Sequence, residues 1–197
     1  MSTADEPSLA SDSGVSGGTL ARGAVAGAAA WLLGYLVAYV WKAEAVAEAL
    51  RGVGVVSQLL GGEAVPAWKG VTWLFLNAHF VATRVPTVAG GTRTTNFVTG
   101  EGGSVALLAL PAVLLLVAGF LAARGRRGGA TAGAAAGAAL VVGYLPLSAA
   151  AAFATTHAIG ETQATVSADP VTAILLAGAV YPVALGAVGG AAATLVE

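Results

Sequence analysis

Two histidines and one glutamate are the residues whose types and spacing could support chemistry in this chain. His157 and Glu161 stand four residues apart in the stretch HAIGE. On a helix this spacing places an imidazole and a carboxylate on one face, where they could bind a metal ion with His79 as a third ligand. Gly160 weakens a helix there, and no further partner is fixed by sequence. We therefore expect hydrogen-bonded or solvated histidines and no metal site, with His79, His157 and Glu161 as the alternative ligand set.

Motifs of other catalytic classes are not found in the sequence. The chain has no cysteine, which excludes a cysteine nucleophile, a thiolate metal site and disulfides. It has no Gly-x-Ser-x-Gly or His-Glu-x-x-His motif, and its glycine pairs lack the lysine and the strand–helix context of a phosphate loop. A net charge of −1 gives no basic footprint for nucleic acid. We expect a non-catalytic protein with no cofactor and no nucleic-acid partner.

The composition indicates that lipid is part of the solvent of this protein. Of its 197 residues, 57% are hydrophobic and only 10% are charged, whereas an average soluble domain is about a quarter charged. The mean hydropathy is +0.82. Of nine basic residues only Lys42 and Lys69 are lysines. Together with acidic loops and abundant alanine, glycine and valine, this bias is typical of an extreme halophile.

Four apolar segments are long enough to cross a bilayer, since about 20 helical residues span the roughly 30 Å hydrocarbon layer. The last three segments contain no Asp, Glu, Lys, Arg or His. The predicted spans are residues 20–41, 104–123, 130–153 and 170–196. Residues 1–18 are polar and acidic, and we expect a disordered tail there. A single transmembrane helical domain should follow over residues 19–197.

The placement of arginines predicts how the spans are oriented. Arg124, Arg126 and Arg127 lie between the second and third spans, whereas the loop between the third and fourth spans contains no Lys or Arg. The positive-inside rule therefore places residues 124–129 in the cytoplasm, together with the C-terminus. The loops predicted to lie outside are residues 86–103 and 154–169.

The stretch at residues 66–84 decides whether the chain has four spans or five. Its clean apolar run is only Val71–Leu76, and Asn77 and His79 would lie near mid-membrane if it crossed. On a helix one stripe holds Lys69, Thr72, His79 and Thr83, the pattern of an amphipathic helix at the membrane surface or against other spans. The sequence therefore favours four spans with an external insert over residues 42–103. Five spans with the N-terminus outside remain the alternative.

Small residues recur every four positions in the predicted spans. This spacing lets helix backbones approach closely in lipid, where no hydrophobic drive exists between helices. It predicts packing within one helix bundle, with homodimerisation through one of these faces as the alternative. The predicted packing residues are Gly23, Gly27, Gly129, Gly133, Gly137, Gly178, Pro182, Gly186 and Gly190.

Ionisable side chains within the spans would mark an ion or proton path. The predicted spans contain only Arg22, near the start of the first, which argues against a proton-coupled pump or a carrier of charged substrates. A path for a small neutral solute stays open. Its lining residues would be Thr131, Tyr144, Ser148, Thr172 and Tyr181.

Three parts of the sequence carry a resemblance: ARGAVAGAAAWLLGYLVAYVWKA, AWKGVTWLFLNAHFV and the long apolar C-terminal half. They are similar to small integral membrane proteins of halophilic archaea. The resemblance covers nearly the whole chain after the tail and implies a transmembrane domain of unknown function. It transfers no catalytic or binding residue. NAHF is its most distinctive part, which makes Asn77, His79 and Phe80 the first targets for mutagenesis.

The sequence therefore predicts an all-α protein, a bundle of four transmembrane helices with external amphipathic helical segments. Its partners would be the lipid bilayer and another membrane or cell-surface protein, or a second copy of itself. We expect the insert to bind or organise another component of the cell surface. A carrier or channel subunit for a small neutral solute is the alternative function.

Overall fold

A computed structural model describes residues 16–87, 90–100 and 104–196. Four of the described helices are long and apolar enough to cross a membrane, as many as the sequence predicts. They are Gly17–Leu59, Val105–Ala123, Gly129–Ala154 and Pro170–Ala193. Most of the predicted tail, residues 1–15, lies outside the described residues. Its last two residues already belong to the first helix, because the Ser16 hydroxyl accepts from the Thr19 N–H at 3.3 Å and caps the helix start.

The first helix, α1 (Gly17–Leu59), continues far beyond the predicted end of the first span at residue 41. Its continuation begins with KAEAVAEALR, residues 42–51, which are almost all good helix formers. Glu48 and Arg51 form an ion pair of 3.1 Å across one turn. At 1.5 Å per residue, 43 helical residues extend over about 65 Å, twice the hydrocarbon thickness. We call residues 42–59 the arm.

The second helix, α2 (Ala67–Asn77), lies within the stretch at residues 66–84. With 11 residues it is about 16 Å long, too short to cross a bilayer. It does not lie on a surface either, because every residue from Gly70 to Asn77 is buried. Gly70 packs against Val46 and Leu50 of the arm. Of the two positions that the polar stripe left open, α2 therefore takes the one against other helices.

A small antiparallel sheet corrects the expectation of an all-α fold. Its strands are β1 (Thr83–Pro86), β2 (Thr92–Thr95), β3 (His157–Ala158) and β4 (Thr165–Ala168), in the spatial order β2-β1-β4-β3. β1 pairs with β4 in the register Thr83 to Ala168. The sheet thus joins the two loops that the arginine pattern placed on the same side. We call this end of the bundle the sheet end.

The last two candidate spans are interrupted helices. The helices of this half of the chain are α3 (Ala109–Ala123), α4 (Gly129–Ala138), α5 (Val141–Ala154), α6 (Pro170–Thr172) and α7 (Tyr181–Ala193). A 3-10 turn, Val105–Leu108, precedes α3, and a π-helical segment, Ala173–Val180, precedes α7. The N–H of Tyr181 donates to Leu176, five residues back. Pro182 is the second residue of α7, at the end of this π segment, where the regular i→i−4 bonds are already interrupted.

Most of the predicted packing glycines lie where two helix backbones meet. A Cβ atom built at Gly27 would overlap the carbonyl oxygen of Leu140, and one at Gly137 that of Gly186. A Cβ at Gly133 would overlap the carbonyl oxygen of Gly190, and a Cβ at Gly190 would overlap that of Gly133. A Cβ at Gly23 would come within 2.5 Å of Ala139. These contacts are all within one chain.

Two predicted packing positions behave differently. Gly178 lies in looser contact, since a Cβ there would be 3.2 Å from the Leu145 side chain. Gly129 is not at a helix contact at all, because a Cβ there would meet nothing within 4 Å. Its φ of 70° shows that it is needed for the turn that starts α4. The four-residue spacing therefore included Gly129 by coincidence.

Candidate functional site: a buried histidine between α2 and the bundle

His79 is fully buried just after α2 and uses both ring nitrogens. Nδ1 lies 2.9 Å from the backbone oxygen of Phe75, and Nε2 lies 2.7 Å from the hydroxyl of Tyr144. Because a carbonyl can only accept, Nδ1 carries the proton. Nε2 of the neutral ring then accepts from the Tyr144 O–H. The geometry therefore defines one tautomer of a neutral imidazole.

The contact with Tyr144 places His79 inside the bundle. Tyr144 precedes the end of α5 at Ala154 by ten residues, which corresponds to about 15 Å of helix. The ring of Tyr181, at the start of α7, lies 5.0 Å from the His79 ring between centroids. No predicted span contains a histidine, yet α2 brings an imidazole between two of them. The sequence argument from uncharged spans did not anticipate this.

Aromatic rings continue the cluster toward α1. Phe75 meets His79 edge-on at 5.1 Å and Trp31 edge-on at 5.4 Å between ring centroids. The indole N–H of Trp31 donates to the Ser148 hydroxyl at 3.2 Å. Edge-to-face pairs of this kind add roughly 0.5–1.5 kcal/mol beyond the area that they bury. The cluster therefore joins α1, α2, α5 and α7 around one buried histidine.

Asn77 satisfies its whole side-chain amide within the protein. Its Nδ2 donates to the Val81 oxygen at 2.7 Å and to the Thr83 hydroxyl at 3.0 Å. Its Oδ1 accepts from the N–H of Phe97 at 2.9 Å, and the Asn96 side chain donates to its backbone oxygen. Asn77 therefore connects α2, β1 and the turn that follows β2.

The end of α2 is a Schellman turn with an unusual residue at its left-handed position. The N–H of Val81 donates to Leu76, and the N–H of Phe80 donates to Asn77. Phe80 has a φ of 62°, a conformation that side chains with a Cβ rarely adopt. The arm ends in the same motif, but with Gly61 at the left-handed position. The turn that aims His79 inward is thus a strained one.

Burial controls the electrostatics of the site. Desolvation lowers the pKa of His79 to about 4, although the hydrogen bond to the Phe75 oxygen opposes this shift. The ring is therefore neutral near pH 7, in agreement with its hydrogen bonds. At the sheet end, burial alone would raise the pKa of Asp169, but hydrogen bonds from Thr172 and the Arg84 guanidinium hold it below its usual value. Arg84 also pairs with Asp169 as an ion pair between β1 and the start of the fourth span.

The structure does not bring the alternative metal ligands together. His79 has no free nitrogen, and Nε2 of His157 lies 3.3 Å from the backbone oxygen of Glu63. Residues 157–161 form a strand and a turn with Gly160 at φ 63°, so the expected helical face of His157 and Glu161 is not formed. Over residues 16–87, 90–100 and 104–196, no three His, Asp or Glu side chains are grouped as metal ligands would be.

The residues proposed for a neutral-solute path do not line one continuous path through the bundle. Tyr144 and Tyr181 lie at His79, and buried Ser148 is bonded to Trp31. The Thr172 hydroxyl bonds to Asp169 at the sheet end, whereas Thr131 is exposed in the first turn of α4, at the opposite end. The loop with Arg124, Arg126 and Arg127 joins α3 to α4 at that same end.

Comparison with known proteins places the chain in a family. A family model described as a family of unknown function, DUF7978, matches residues 1–197. The chain belongs to the DUF7978 family. No curated protein and no solved structure matches it. The match covers the entire chain, so the buried histidine cluster and the arm both belong to a sequence that the DUF7978 family model describes.

Only part of this histidine cluster could be predicted from the sequence. Asn77, His79 and Phe80 were identified as targets, but Trp31 and Phe75 were not connected to them. No motif links these residues, which are joined only by the way α2 packs. Trp73 was also missed: it is 2% exposed, and its indole N–H has no hydrogen-bond partner among the described residues.

Proposed function

We propose that this protein is a non-catalytic, multi-pass membrane protein of a halophilic archaeon that binds another cell-surface protein through the arm. The four candidate spans, the uncharged apolar segments and the few lysines support the location and the source. The arginine pattern supports a cytoplasmic position for residues 124–129. The sheet end, which carries the arm, would then face the outside.

The observation that carries this proposal is an exposed apolar stripe along the arm. The stripe consists of five exposed residues: Ala45, Ala49, Gly52, Val56 and Leu59. They are separated in turn by 4, 3, 4 and 3 positions. This is the spacing of a coiled-coil seam. Val53 and Leu60 flank the stripe and are 40% and 47% exposed. The occupant we propose is therefore a helix of the partner protein with an apolar face of its own.

The opposite side of the arm holds it to the rest of the chain. The Ser57 hydroxyl donates to the Glu63 oxygen at 2.7 Å and accepts from the Gly160 N–H at 3.1 Å. The N–H of Glu161 donates to the Leu60 oxygen at 2.9 Å. A helix that is fixed on one side and apolar on the other offers a preorganised surface, which lowers the entropy cost of binding.

The charged side of the arm provides the matched control for a binding test. Val55 follows Glu48 by seven residues and lies on that charged side, whereas Val56 lies on the stripe. The two valines are exposed to similar degrees, 57% and 50%. Val56→Lys should abolish recovery of the stoichiometric partner when the tagged full-length chain is purified after cross-linking in cells, and Val55→Lys should preserve it. Equal recovery with both variants would contradict the proposal, and self-cross-linking alone would identify the occupant as a second copy.

The orientation has a test of its own, because the native chain contains no thiol. Leu59→Cys, at a position that is 81% exposed on the arm, should react with a membrane-impermeant maleimide in intact cells. Arg127→Cys should react only after the cells are permeabilised. The reverse pattern would place the arm in the cytoplasm and exclude a cell-surface partner.

A carrier of a small neutral solute is the second candidate. It is favoured by the convergence of Tyr144, Tyr181 and His79 between helices rather than on the surface. Proteoliposomes with the protein should then swell faster in glycerol or urea gradients than empty liposomes. Tyr144→Phe should change that rate, whereas Val56→Lys should not.

A further inference from the structure

The two lysines of the chain share the same neighbour and the same geometry. Lys42 and Lys69 each follow a tryptophan directly in the sequence. The Lys42 ammonium lies 4.5 Å from the centre of the Trp41 ring, and the Lys69 ammonium lies 5.7 Å from that of Trp68. Both tryptophans are exposed, at 51% and 43%. A tryptophan at the edge of the hydrocarbon, with a cation that reaches the headgroups, is the usual arrangement at a membrane surface.

The positions of the two pairs agree with one boundary of the bilayer at the sheet end. Arg22, near the other end of the first span, precedes Trp41 by 19 positions, which corresponds to about 29 Å of helix. This length is close to the hydrocarbon thickness of roughly 30 Å. The Trp68 pair lies where the third span ends, because the Lys69 ammonium donates to the Thr156 oxygen at 2.8 Å, just beyond that span.

From this boundary α2 leads into the bilayer, and two helices give the same depth. Phe75 follows Lys69 on α2, and Gly34 precedes Trp41 on α1; the two intervals correspond to about 9–11 Å of helix. A Cβ built at Gly34 would contact both the Phe75 ring and the Leu114 side chain, so all three lie at one level. Leu114 is the central residue of the second span, Val105–Ala123. Phe75 therefore lies near the middle of the bilayer, and His79 follows it by one further turn.

At this depth the chain turns back to the side from which it came. α2 ends at Asn77, and β1 begins six residues later at Thr83 and pairs with β4 at the sheet end. Irregular backbone at membrane depth is tolerated where its polar groups are paired within the protein. The turn meets this condition, since the N–H groups of Phe80 and Val81 and the side chain of Asn77 all form hydrogen bonds.

The ring of Phe80 is the exposed part of this turn. It is 53% exposed, whereas His79 beside it is fully buried. At the depth of the second span's centre, an exposed apolar ring faces lipid tails. We infer that α2 is a re-entrant helix, which enters the bilayer from the sheet end, brings His79 near its middle and returns with the Phe80 ring against the lipid tails. This inference rests on the membrane location in the proposed function, and it does not depend on the partner of the arm.

The test places a spin label at position 80 through Phe80→Cys in the full-length chain, which has no other thiol. The protein is reconstituted in vesicles of phosphatidylcholine and phosphatidylglycerol. Electron paramagnetic resonance then compares collisions of the label with oxygen, which concentrates in hydrocarbon, and with a neutral nickel chelate, which stays in water. Val113→Cys is the matched control within the bilayer, because Val113 is next to Leu114 and is 55% exposed. Leu59→Cys, at 81% exposure on the arm, is the control in water.

The labels at positions 80 and 113 should both collide mainly with oxygen, and the label at position 59 mainly with the nickel chelate. Nickel collisions at position 80 together with oxygen collisions at position 113 would overturn the re-entrant helix and leave the membrane location intact. Nickel collisions at position 113 as well would remove the membrane location itself. A label at position 80 that is shielded from both reagents would show that protein covers Phe80, and would overturn the lipid contact.

The native tryptophans test the boundary without any change at Phe80, should that variant fail to fold. Trp31 and Trp73 are buried, so brominated lipids should quench mainly the exposed Trp41 and Trp68. Bromines near the headgroups should quench the fluorescence more than bromines near the chain ends. The double variant Trp41→Phe, Trp68→Phe should lose most of this shallow quenching. Stronger quenching by the deep bromines in the native chain would contradict the boundary from which the depth of α2 is measured.

Discussion

The Tyr144 hydroxyl donates a hydrogen bond of 2.7 Å to Nε2 of His79, across 65 residues of sequence. This bond joins the insert to the third span, within a region from which water is excluded by packing. A polar contact of this kind is costly to break, because the group left behind cannot recruit water. The bond therefore fixes how deeply α2 enters the bundle.

Removing the hydroxyl should destabilise the protein measurably. Tyr144→Phe leaves the Nε2 lone pair of His79 buried without a donor, at a cost of about 1–3 kcal/mol. The loss should appear as a lower thermal midpoint in detergent. In a double-mutant cycle with His79→Phe, the two effects should be far from additive. Additive effects would show that the two side chains do not interact in solution.

Acidification should destabilise the fold through His79. Its pKa is lowered from 6.5 in the unfolded chain to about 4 in the folded chain, so the unfolded state binds more protons between these values. The stability is fully present above about pH 6.5 and is lost as the pH falls toward 4, by roughly 3 kcal/mol in total. His79→Gln should remove the pH dependence in this window. A pH dependence that persists in this variant would have to come from other groups.

A methyl group at the helix contact should be poorly tolerated. Gly137→Ala would place its Cβ against the carbonyl oxygen of Gly186 and force α4 and α7 apart. We expect a loss of about 1–3 kcal/mol, the usual cost of overpacking. Gly52→Ala on the arm is the matched control, because a Cβ there meets nothing within 4 Å. This control should be neutral or stabilising by up to about 1 kcal/mol, because alanine is the better helix former. Thermal midpoints that agree for the two variants would contradict the close packing.

The turn after α2 should become more stable when its strain is removed. Phe80→Gly permits the φ of 62° without a Cβ penalty and should stabilise the protein by about 1 kcal/mol. Phe80→Ala removes the same ring but keeps the Cβ. The difference between the two thermal midpoints therefore isolates the backbone strain from the loss of the exposed ring. If alanine is as stable as glycine, the left-handed conformation carries no cost.

The apolar parts of the fold could be predicted because the bilayer imposes a length rule. The bounds of the second and third spans agree with the sequence to within one residue. The first helix continues past the predicted end of the first span at residue 41, because Lys42 and the residues after it do not interrupt helix propensity. The length rule therefore locates the segment within the membrane but says little about how far a helix continues.

The sheet and the depth of α2 could not be predicted, since both depend on tertiary contacts. Strands of two to four residues have no periodicity to detect, and β1 pairs with β4 across some 80 residues. The polar residues at the end of α2 and just after it form their hydrogen bonds within the protein: Asn77 bonds to the turns and His79 to Tyr144. A pattern that is equally consistent with a headgroup region and with a polar interior cannot distinguish them.

Because β1 pairs with β4, part of the sheet can form only late in biosynthesis. β4 is translated only after two further hydrophobic helices have left the ribosome, so β1 can pair early with β2 but must wait for β4. At 5–20 residues per second the delay from Pro86 to Thr165 is roughly 4–16 s. During this delay the β1 edge that pairs with β4 and the newly made α2 lack their final neighbours, which leaves both open to proteases.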